Sequence, residues 1–327
     1  MYFWIFVFAL CCFIVFYNYI GYALIAVILT RFKRRKATGQ KDFLPTVSFI
    51  VAAFNEEDYI AKKIDDSFAQ NYPADKIEYI FITDGSTDKT PEIISRHGQI
   101  RLLHNGERKG KSAALNRAVA VAQNDILIFS DANTFLNTDA TRNIARHYSD
   151  ETVGGVAGEK KIISPAGSTI EVGAGEGLYW KYESFLKKTD SAFYSVVGAA
   201  GELFSLRRAL FEPVDDSVVL DDFVISLKVA GKGFRILYEP EAYAMELPSF
   251  SLQDERKRKI RIAAGGFQAM AMLSPLLRFW QHPKLSFLYI SHRVLRWTLS
   301  PLCLILAFVA NAVLVAITDN LLLQALF

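Results

Sequence analysis

A chain of 327 residues in which 51% of side chains are hydrophobic and 22% charged has room for about two domains. It carries too much charge for a bare bundle of membrane helices and too many apolar residues for a disordered chain. The net charge of +3 leaves no nucleic-acid footprint. All three cysteines (Cys11, Cys12 and Cys303) lie in the apolar ends, so the middle holds neither a disulfide framework nor a cysteine-based zinc site, which fits a reducing, cytosolic location.

Residues 1–30 are expected to form a transmembrane helix. The run from Phe3 to Leu29 exceeds the ~20 apolar residues a bilayer crossing needs. A cleaved signal peptide would place its positive charge ahead of a shorter apolar run. Here Arg31, Lys33, Arg34, Arg35 and Lys36 follow it, which puts a basic linker, 31–44, on the cytosolic side.

Residues 45–270 read as one catalytic domain. Val47–Ala53 is a short β-rich apolar run, and Glu57–Gln70 has helical spacing with Ile60, Ile64 and Phe68 on one face. Strands are expected at Ile77–Thr83, Ile100–His104 and Ile126–Ser130, with helices at Thr90–His97 and Ser112–Ala122 between them. This alternation predicts an α/β fold, a mostly parallel sheet with helices on both faces. Ligands of such sheets bind beyond the carboxyl ends of the strands. The ends are Ala53-Phe54-Asn55-Glu56-Glu57, Thr83-Asp84-Gly85-Ser86-Thr87-Asp88 and Ser130-Asp131-Ala132-Asn133, so three acidic tips should converge on one crevice. Ser86 and Thr87 read as turn and cap residues, and Asp84 as a ligand-binding acid. Asp131 and Asn133 offer hard oxygen ligands for Mg²⁺ or Mn²⁺. No Gly-x-Gly-x-x-Gly follows the first strand, and Asn105 stands where a P-loop before Gly110-Lys111-Ser112 would need its first glycine.

Further along, 176–183 is an aromatic stretch with acids. Trp180 is a candidate sugar-facing ring; the plainer alternative is a helix packing Leu178, Tyr182 and Phe185 inward. His97, His104 and His147 read as surface residues. Arg256-Lys257-Arg258-Lys259-Ile260-Arg261 is a basic run suited to anionic headgroups or to a ligand. Residues 271–296, with Phe279, Trp280, Phe287 and Tyr289, are expected to lie amphipathically at the membrane interface. Residues 297–318 should span the bilayer, and 319–327 should begin a further span.

At this point several motifs in register, from about Pro45 to Gln268, resemble family 2 glycosyltransferases of the GT-A fold, particularly the membrane-bound processive synthases. Ala53, Asn55 and Glu56 stand in what resembles the first donor-binding strand. Thr83-Asp84-Gly85-Ser86 is similar to the Asp-Asp-Gly-Ser motif, with Thr83 replacing its first acid and Asp84 as the nucleotide-binding acid. Gly110-Lys111-Ser112-Ala113-Ala114-Leu115-Asn116 resembles Gly-Lys-x-x-Ala-Leu-Asn, which brings Lys111 to the donor, and Asp131-Ala132-Asn133 stands where the family has Asp-x-Asp, which makes Asp131 a donor and metal ligand and Asn133 a metal ligand. The loop Gly198-Ala199-Ala200-Gly201-Glu202 resembles the acceptor-side lining and supplies Gly201 and Glu202. Leu220-Asp221-Asp222 resembles Thr-Glu-Asp, which implies Asp222 as general base with Asp221 beside the acceptor. Arg258 to Ile262 stands where processive members carry Gln-x-x-Arg-Trp, and only Arg261, a donor contact, matches fully. The resemblance implies an inverting hexosyl transfer from a nucleotide-sugar, a UDP-sugar by preference, to a glycan or lipid-linked acceptor. It would take place at the cytosolic face of a plasma or inner membrane, in a multi-pass protein bound to the lipid bilayer and using Mg²⁺ or Mn²⁺. The alternatives are single transfer to a polyprenyl phosphate, or a non-catalytic nucleotide-sugar-binding subunit.

Overall fold

The computed structural model describes residues 1–33, 39–40, 42–162, 174–246 and 252–318. The chain divides into two compact units, Met1–Arg34 with Ser274–Phe327, and Arg35–Leu273.

In the first unit, α1 (Tyr2–Phe16) and α2 (Tyr22–Lys33) run on through a π-helical turn at Tyr17–Gly21. The helix Tyr2–Phe32 and α12 (Leu299–Ile317) are each long and apolar enough to cross a membrane. The segment expected at the interface contains α10 (Pro283–Tyr289), a second π-helical turn (Ile290–Val294) and α11 (Leu295–Trp297). Phe279 and Trp280 are exposed as expected, but Leu285, Leu288 and Tyr289 are buried. The reason is polar as much as apolar. Asn18 Nδ2 donates to the Ser291 carbonyl at 2.7 Å, and the Tyr17 hydroxyl pairs with Ser291 Oγ at 2.9 Å, so the two π turns meet. Tyr22 packs on Phe287 and His292 at ring distances of 5.9 and 5.8 Å. The expected start of another span, 319–327, lies outside the described residues.

The second unit is built on an eight-stranded sheet ordered β3-β2-β1-β4-β7-β6-β8-β5. The strands are β1 (Val47–Ala53), β2 (Ile77–Asp84), β3 (Ile100–Asn105), β4 (Ile126–Asp131), β5 (Phe135–Leu136), β6 (Val153–Ile162), β7 (Leu203–Arg207) and β8 (Arg235–Glu246). β3, β2, β1 and β4 run parallel, as the alternation of strands and helices predicts. Their near-continuous apolar runs are what a sheet covered on both faces requires; Phe49, Val51, Phe81 and Ile128 are fully buried. β7 inserts antiparallel between β4 and β6, and β5 pairs antiparallel with β8. The helices are α3 (Ile60–Phe68), α4 (Thr90–Ser95), α5 (Lys111–Val121), α6 (Ala140–Ala145), α7 (Ala174–Phe193), α8 (Asp221–Gly231) and α9 (Leu252–Met272). The α3 face carrying Ile60 and Ile64 is buried, as its spacing predicts.

Two expectations fail here. His147 is not a surface residue: its Nε2 lies 2.6 Å from Glu239 Oε2 in the interior. And α7 does not pack Leu178 and Phe185 inward; both are exposed, while Glu183, Leu186, Lys187 and Asp190 are buried. The buried face of α7 carries charge, which the interior tolerates where partners are at hand, and Trp180 of the same helix lies 5.8 Å from Lys160, the partner of Glu202 and Glu246.

Candidate active site

The three parallel strand tips converge as their order demands. β1, β2 and β4 are neighbours in register, with Ala53 opposite Thr83 and Ala52 opposite Asp131. A crevice of about 310 Å³ opens beyond them, lined by Ala53, Phe54, Glu56, Asp84, Arg108, Gly110, Lys111, Asp131, Asn133 and Arg261. Seven of the residues expected to meet donor or metal therefore share one cavity.

Asn55 does not line it. Asn55 takes a left-handed backbone, φ +54°, which asparagine tolerates better than most residues. Its N–H donates to Ser86 Oγ at 3.1 Å, and its side-chain oxygen accepts from the Thr87 N–H at 2.9 Å. Asp88 in turn accepts from the Glu57 N–H at 3.0 Å. Asn55, Ser86 and Thr87 thus lash the first two strand tips together, the turn-and-cap role expected of the last two.

Asp84 also has structural work. Its carboxylate accepts from the N–H of Gly110 at 2.6 Å and of Lys109 at 3.1 Å, and Arg117 lies 3.3 Å away. Gly110 holds φ +98°, a glycine conformation. Asp84 therefore fixes the turn from which α5 starts, and α5 starts at Lys111. The Lys111 ammonium lands 2.5 Å from Asp131 Oδ1. Arg108, which leads into the stretch matched to Gly-Lys-x-x-Ala-Leu-Asn but carried no expected role of its own, lays its guanidinium 3.8 Å from the Phe54 ring centre at the cavity wall.

The residues expected on the acceptor side come from later elements. Asp221 and Asp222 open α8. A Cβ placed on Gly201 would lie 3.2 Å from Lys111 Nζ and 3.3 Å from Asp222 Oδ2, so these two groups and Gly201 meet at one point. Gly198 holds φ +84°, and any side chain there would strike the Phe223 ring at 2.1 Å. Glu202 does not stand open: its carboxylate accepts from Lys160 Nζ at 2.7 Å, and Lys160 also pairs with Glu246. The Trp180 ring is 5.8 Å from the same ammonium, with its indole N–H buried and without a hydrogen-bond acceptor among the described residues. Arg261 arrives on α9, whose Gly265 packs against Val219 and Leu220 and whose Gln268 bridges the Val219 N–H and the Ser217 carbonyl at 3.0 Å each.

Electrostatics separate the acids. Burial, and then the charges of Asp131 and Asp88, push Glu56 up to about 7. Burial, and then Asp221, push Asp222 up to about 7 against the pull of Lys111. Asp221 is raised by burial too. Burial alone would lower Lys111, but Asp131, Asp221 and Asp222 overcome it and hold the ammonium protonated. Burial opposes ionisation of Glu202, yet Lys160 outweighs it and draws Glu202 down to about 2.

A divalent cation fits this donor set. Among the described residues no group of three His, Cys, Asp or Glu side chains could cage one. Asp131 and Asn133 offer two oxygens on the cavity wall, and Mg²⁺-like ions commonly take one or two protein oxygens and complete their shell from water and substrate phosphates.

One residue without any motif matters to this geometry. Lys63 is fully buried on α3, where its spacing places it on the same face as Ile60 and Ile64. Its ammonium donates to Ser130 Oγ at 2.8 Å and to the Thr134 carbonyl at 2.7 Å, so it braces the loop carrying Asp131 and Asn133 from behind. Burial lowers it to about 8. A lysine on an otherwise apolar helix face was the available signal.

Residues 48–214 match the sequence pattern of glycosyl transferase family 2. The chain is 27% identical over 236 residues to the poly-beta-1,6-N-acetyl-D-glucosamine synthase of Staphylococcus aureus strain MSSA476, covering 70% of this chain and 56% of that protein. It is 26% identical over 229 residues to the probable glycosyltransferase YdaM of Bacillus subtilis strain 168, covering 62% and 51%. The chain thus spans about half the length of the curated relatives it matches. Among solved structures it is similar to a mannosyltransferase from Pyrobaculum calidifontis in complex with GDP-Man and Mn²⁺, with a TM-score of 0.76, 25% identity, and coverage of 98% of this chain and 90% of that one.

Proposed function

The chain belongs to glycosyl transferase family 2, and from that premise we propose that it transfers a sugar from a nucleotide-diphosphate donor to a glycan or lipid-linked hydroxyl with inversion, Asp222 acting as the general base. That it is a glycosyltransferase of a mixed α/β fold follows from its family and its structural relatives. The observation that carries the finer reading is the meeting at Gly201. The Asp131 carboxylate pairs with Lys111, and both the Lys111 ammonium and the Asp222 carboxylate border the empty space at Gly201.

The chemistry needs two things: a carboxylate that strips the acceptor hydroxyl as it attacks, and positive charge for the departing diphosphate. Asp222, brought to about 7, is matched to the first near neutral pH. Arg261, Arg108 and Lys111 on the cavity wall supply the second, and Asp131 with Asn133 would hold the Mg²⁺ or Mn²⁺ that neutralises phosphate oxygens when bound. Attack by the acceptor oxygen on the anomeric carbon, as its bond to the diphosphate breaks, inverts that carbon and needs no enzyme nucleophile. In this reading Asp84 and Glu56, which line the cavity, serve the nucleotide, and Trp180, Glu202 and Asp221 serve the acceptor, Glu202 through its hold on Lys160. The donor is a UDP-sugar on the sequence resemblance; the Pyrobaculum relative, crystallised with GDP-Man, makes GDP-sugars the next donors to try.

The helices Tyr2–Phe32 and Leu299–Ile317 are membrane spans in this reading, with Arg31 to Lys36 on the cytosolic side. Their outward Phe6, Phe13, Ile305 and Phe308 suit contact with lipid. Extension of a polysaccharide is the reading favoured by the synthase relatives. Single transfer to a polyprenyl phosphate is supported by Arg258 and Ile262, which replace the glutamine and tryptophan of the processive motif. The test is nucleotide release by the purified full chain against a panel of UDP- and GDP-sugars with Mn²⁺, followed by product length with a labelled donor. Release of UDP or GDP from none of them, with or without lipid-linked acceptor, would contradict the assignment.

A further inference from the structure

The acidic crevice already contains a cation that belongs to the chain. Lys111 Nζ lies 2.5 Å from Asp131 Oδ1, on the oxygen a divalent cation would need. The same ammonium and Asp222 Oδ2 both border the space at Gly201, so the cation paired with the proposed metal acid lies close to the proposed base. Three features fix it there. Asp84 clamps the backbone of Lys109 and Gly110, so the residue starting α5 is aimed by hydrogen bonds rather than left to a loose loop. Gly201 has no side chain to fill the point where the groups meet. The hydrogen bond from Lys111 Nζ to Asp131 Oδ1 holds the side chain at the cavity wall. A lysine ammonium is a compact point charge on a flexible stem, which can leave one carboxylate for another anion a few ångströms away.

We propose that Lys111 is a tethered counter-ion that holds Asp131 until donor arrives, so that a divalent cation enters with the nucleotide diphosphate rather than before it. The incoming diphosphate offers the ammonium a new anion on the donor side. Asp131 is released to the metal, and Asp222 loses its neighbouring cation as the acceptor approaches. Lys111 is then a positioning residue that couples metal binding to donor binding. Such coupling is reciprocal, each ligand raising the affinity of the other by one factor. The proposal rests on the transferase reading for the identity of the diphosphate, but the competition between lysine and cation does not.

The test measures Mn²⁺ binding to the full-length, detergent-solubilised chain by electron paramagnetic resonance of the free ion, with no sugar transfer required. The wild type is expected to bind Mn²⁺ weakly alone and more tightly with UDP or GDP present. Lys111→Met should bind Mn²⁺ at least about tenfold more tightly than wild type without nucleotide, because a unit positive charge beside the site is gone, and should show a smaller gain when nucleotide is added. Lys111→Arg, which keeps the charge, should resemble the wild type, and Asp131→Asn in the Lys111→Met background should lose the gain. Equal or weaker Mn²⁺ binding by Lys111→Met, in a protein whose thermal unfolding remains cooperative, overturns the proposal. So does a gain that survives Asp131→Asn. A chain that releases nucleotide from no donor but still shows the Lys111→Met gain would sink the transferase reading and leave the counter-ion intact.

Discussion

Replacing Asp222 by asparagine should cost the protein its chemistry and make its fold more stable. The Asp222 carboxyl is moved from 3.8 to about 7 by burial and by Asp221 beside it. Tenfold in proton affinity is worth about 1.4 kcal/mol, so the ionised form destabilises the fold by about 2–4 kcal/mol above pH 7, the lower figure allowing for the charge that Asp221 shares with it. A carboxyl raised in this way binds its proton more tightly in the fold than in the unfolded chain. Its penalty is absent below the unfolded value, grows as pH rises, and is complete above about 7. The substituted amide carries no charge at any pH, so the variant should gain roughly 5–10 °C in unfolding temperature at pH 8 and almost nothing at pH 4. Turnover should fall by about 10²–10⁴, the usual contribution of a general base. The assays are thermal unfolding of both proteins at pH 4, 6 and 8, and nucleotide release at pH 8. A variant equally stable or less stable at pH 8, or a gain that does not depend on pH, would show that Asp222 is not a charge held at a disadvantage for catalysis. Undiminished turnover would remove it from the mechanism.

Other consequences can be measured alongside. Because Asp222 must be ionised to accept a proton, kcat/KM of the wild type should rise about tenfold per pH unit below pH 7 and level off above it; a profile flat from pH 5.5 to 8 contradicts that. Gly198→Ala places a methyl group on the Phe223 ring at a backbone φ of +84° and should destabilise the catalytic unit by more than about 3 kcal/mol, seen as loss of soluble protein or a lowered denaturation midpoint. Lys63→Met removes the brace behind Asp131. The orphaned Thr134 carbonyl costs about 1–3 kcal/mol, but relief of a buried ammonium, whose penalty is present below pH 8 and fades as pH rises towards 10.5, offsets it. Net stability at pH 7 should therefore change by less than about 1.5 kcal/mol, while turnover falls about tenfold as the loop loosens.

The parallel half of the sheet and its crevice were legible because local signals suffice there. Each of β1, β2 and β4 is a short apolar run with an acid at or just beyond its end, and parallel order brings their ends together. The other half depends on pairings remote in sequence. β7 follows the long helix α7, which by the alternation rule would mark a parallel crossover, yet it enters the sheet antiparallel to both neighbours. Glu202 finds Lys160 42 residues away and His147 finds Glu239 92 residues away, and no spacing announces either pair. The inward charge of α7 is hidden in the same way: its helical period is visible, but nothing in the local pattern shows that Glu183, Lys187 and Asp190 turn inward while Leu178 and Phe185 stay exposed. At 283–297 the aromatic content gave no sign of the Asn18–Ser291 and Tyr17–Ser291 bonds, formed across 273 and 274 residues, that fasten this segment to the N-terminal helix.

The most direct test is the anomeric configuration of the transferred sugar, read by NMR on the product of the wild-type chain supplied with an α-linked nucleotide-sugar. A single displacement in which Asp222 activates the acceptor hydroxyl predicts a β-linked product. An α-linked product would require a second displacement or front-face attack, in which Asp222 would not act as the base for a single in-line displacement, and would contradict the account.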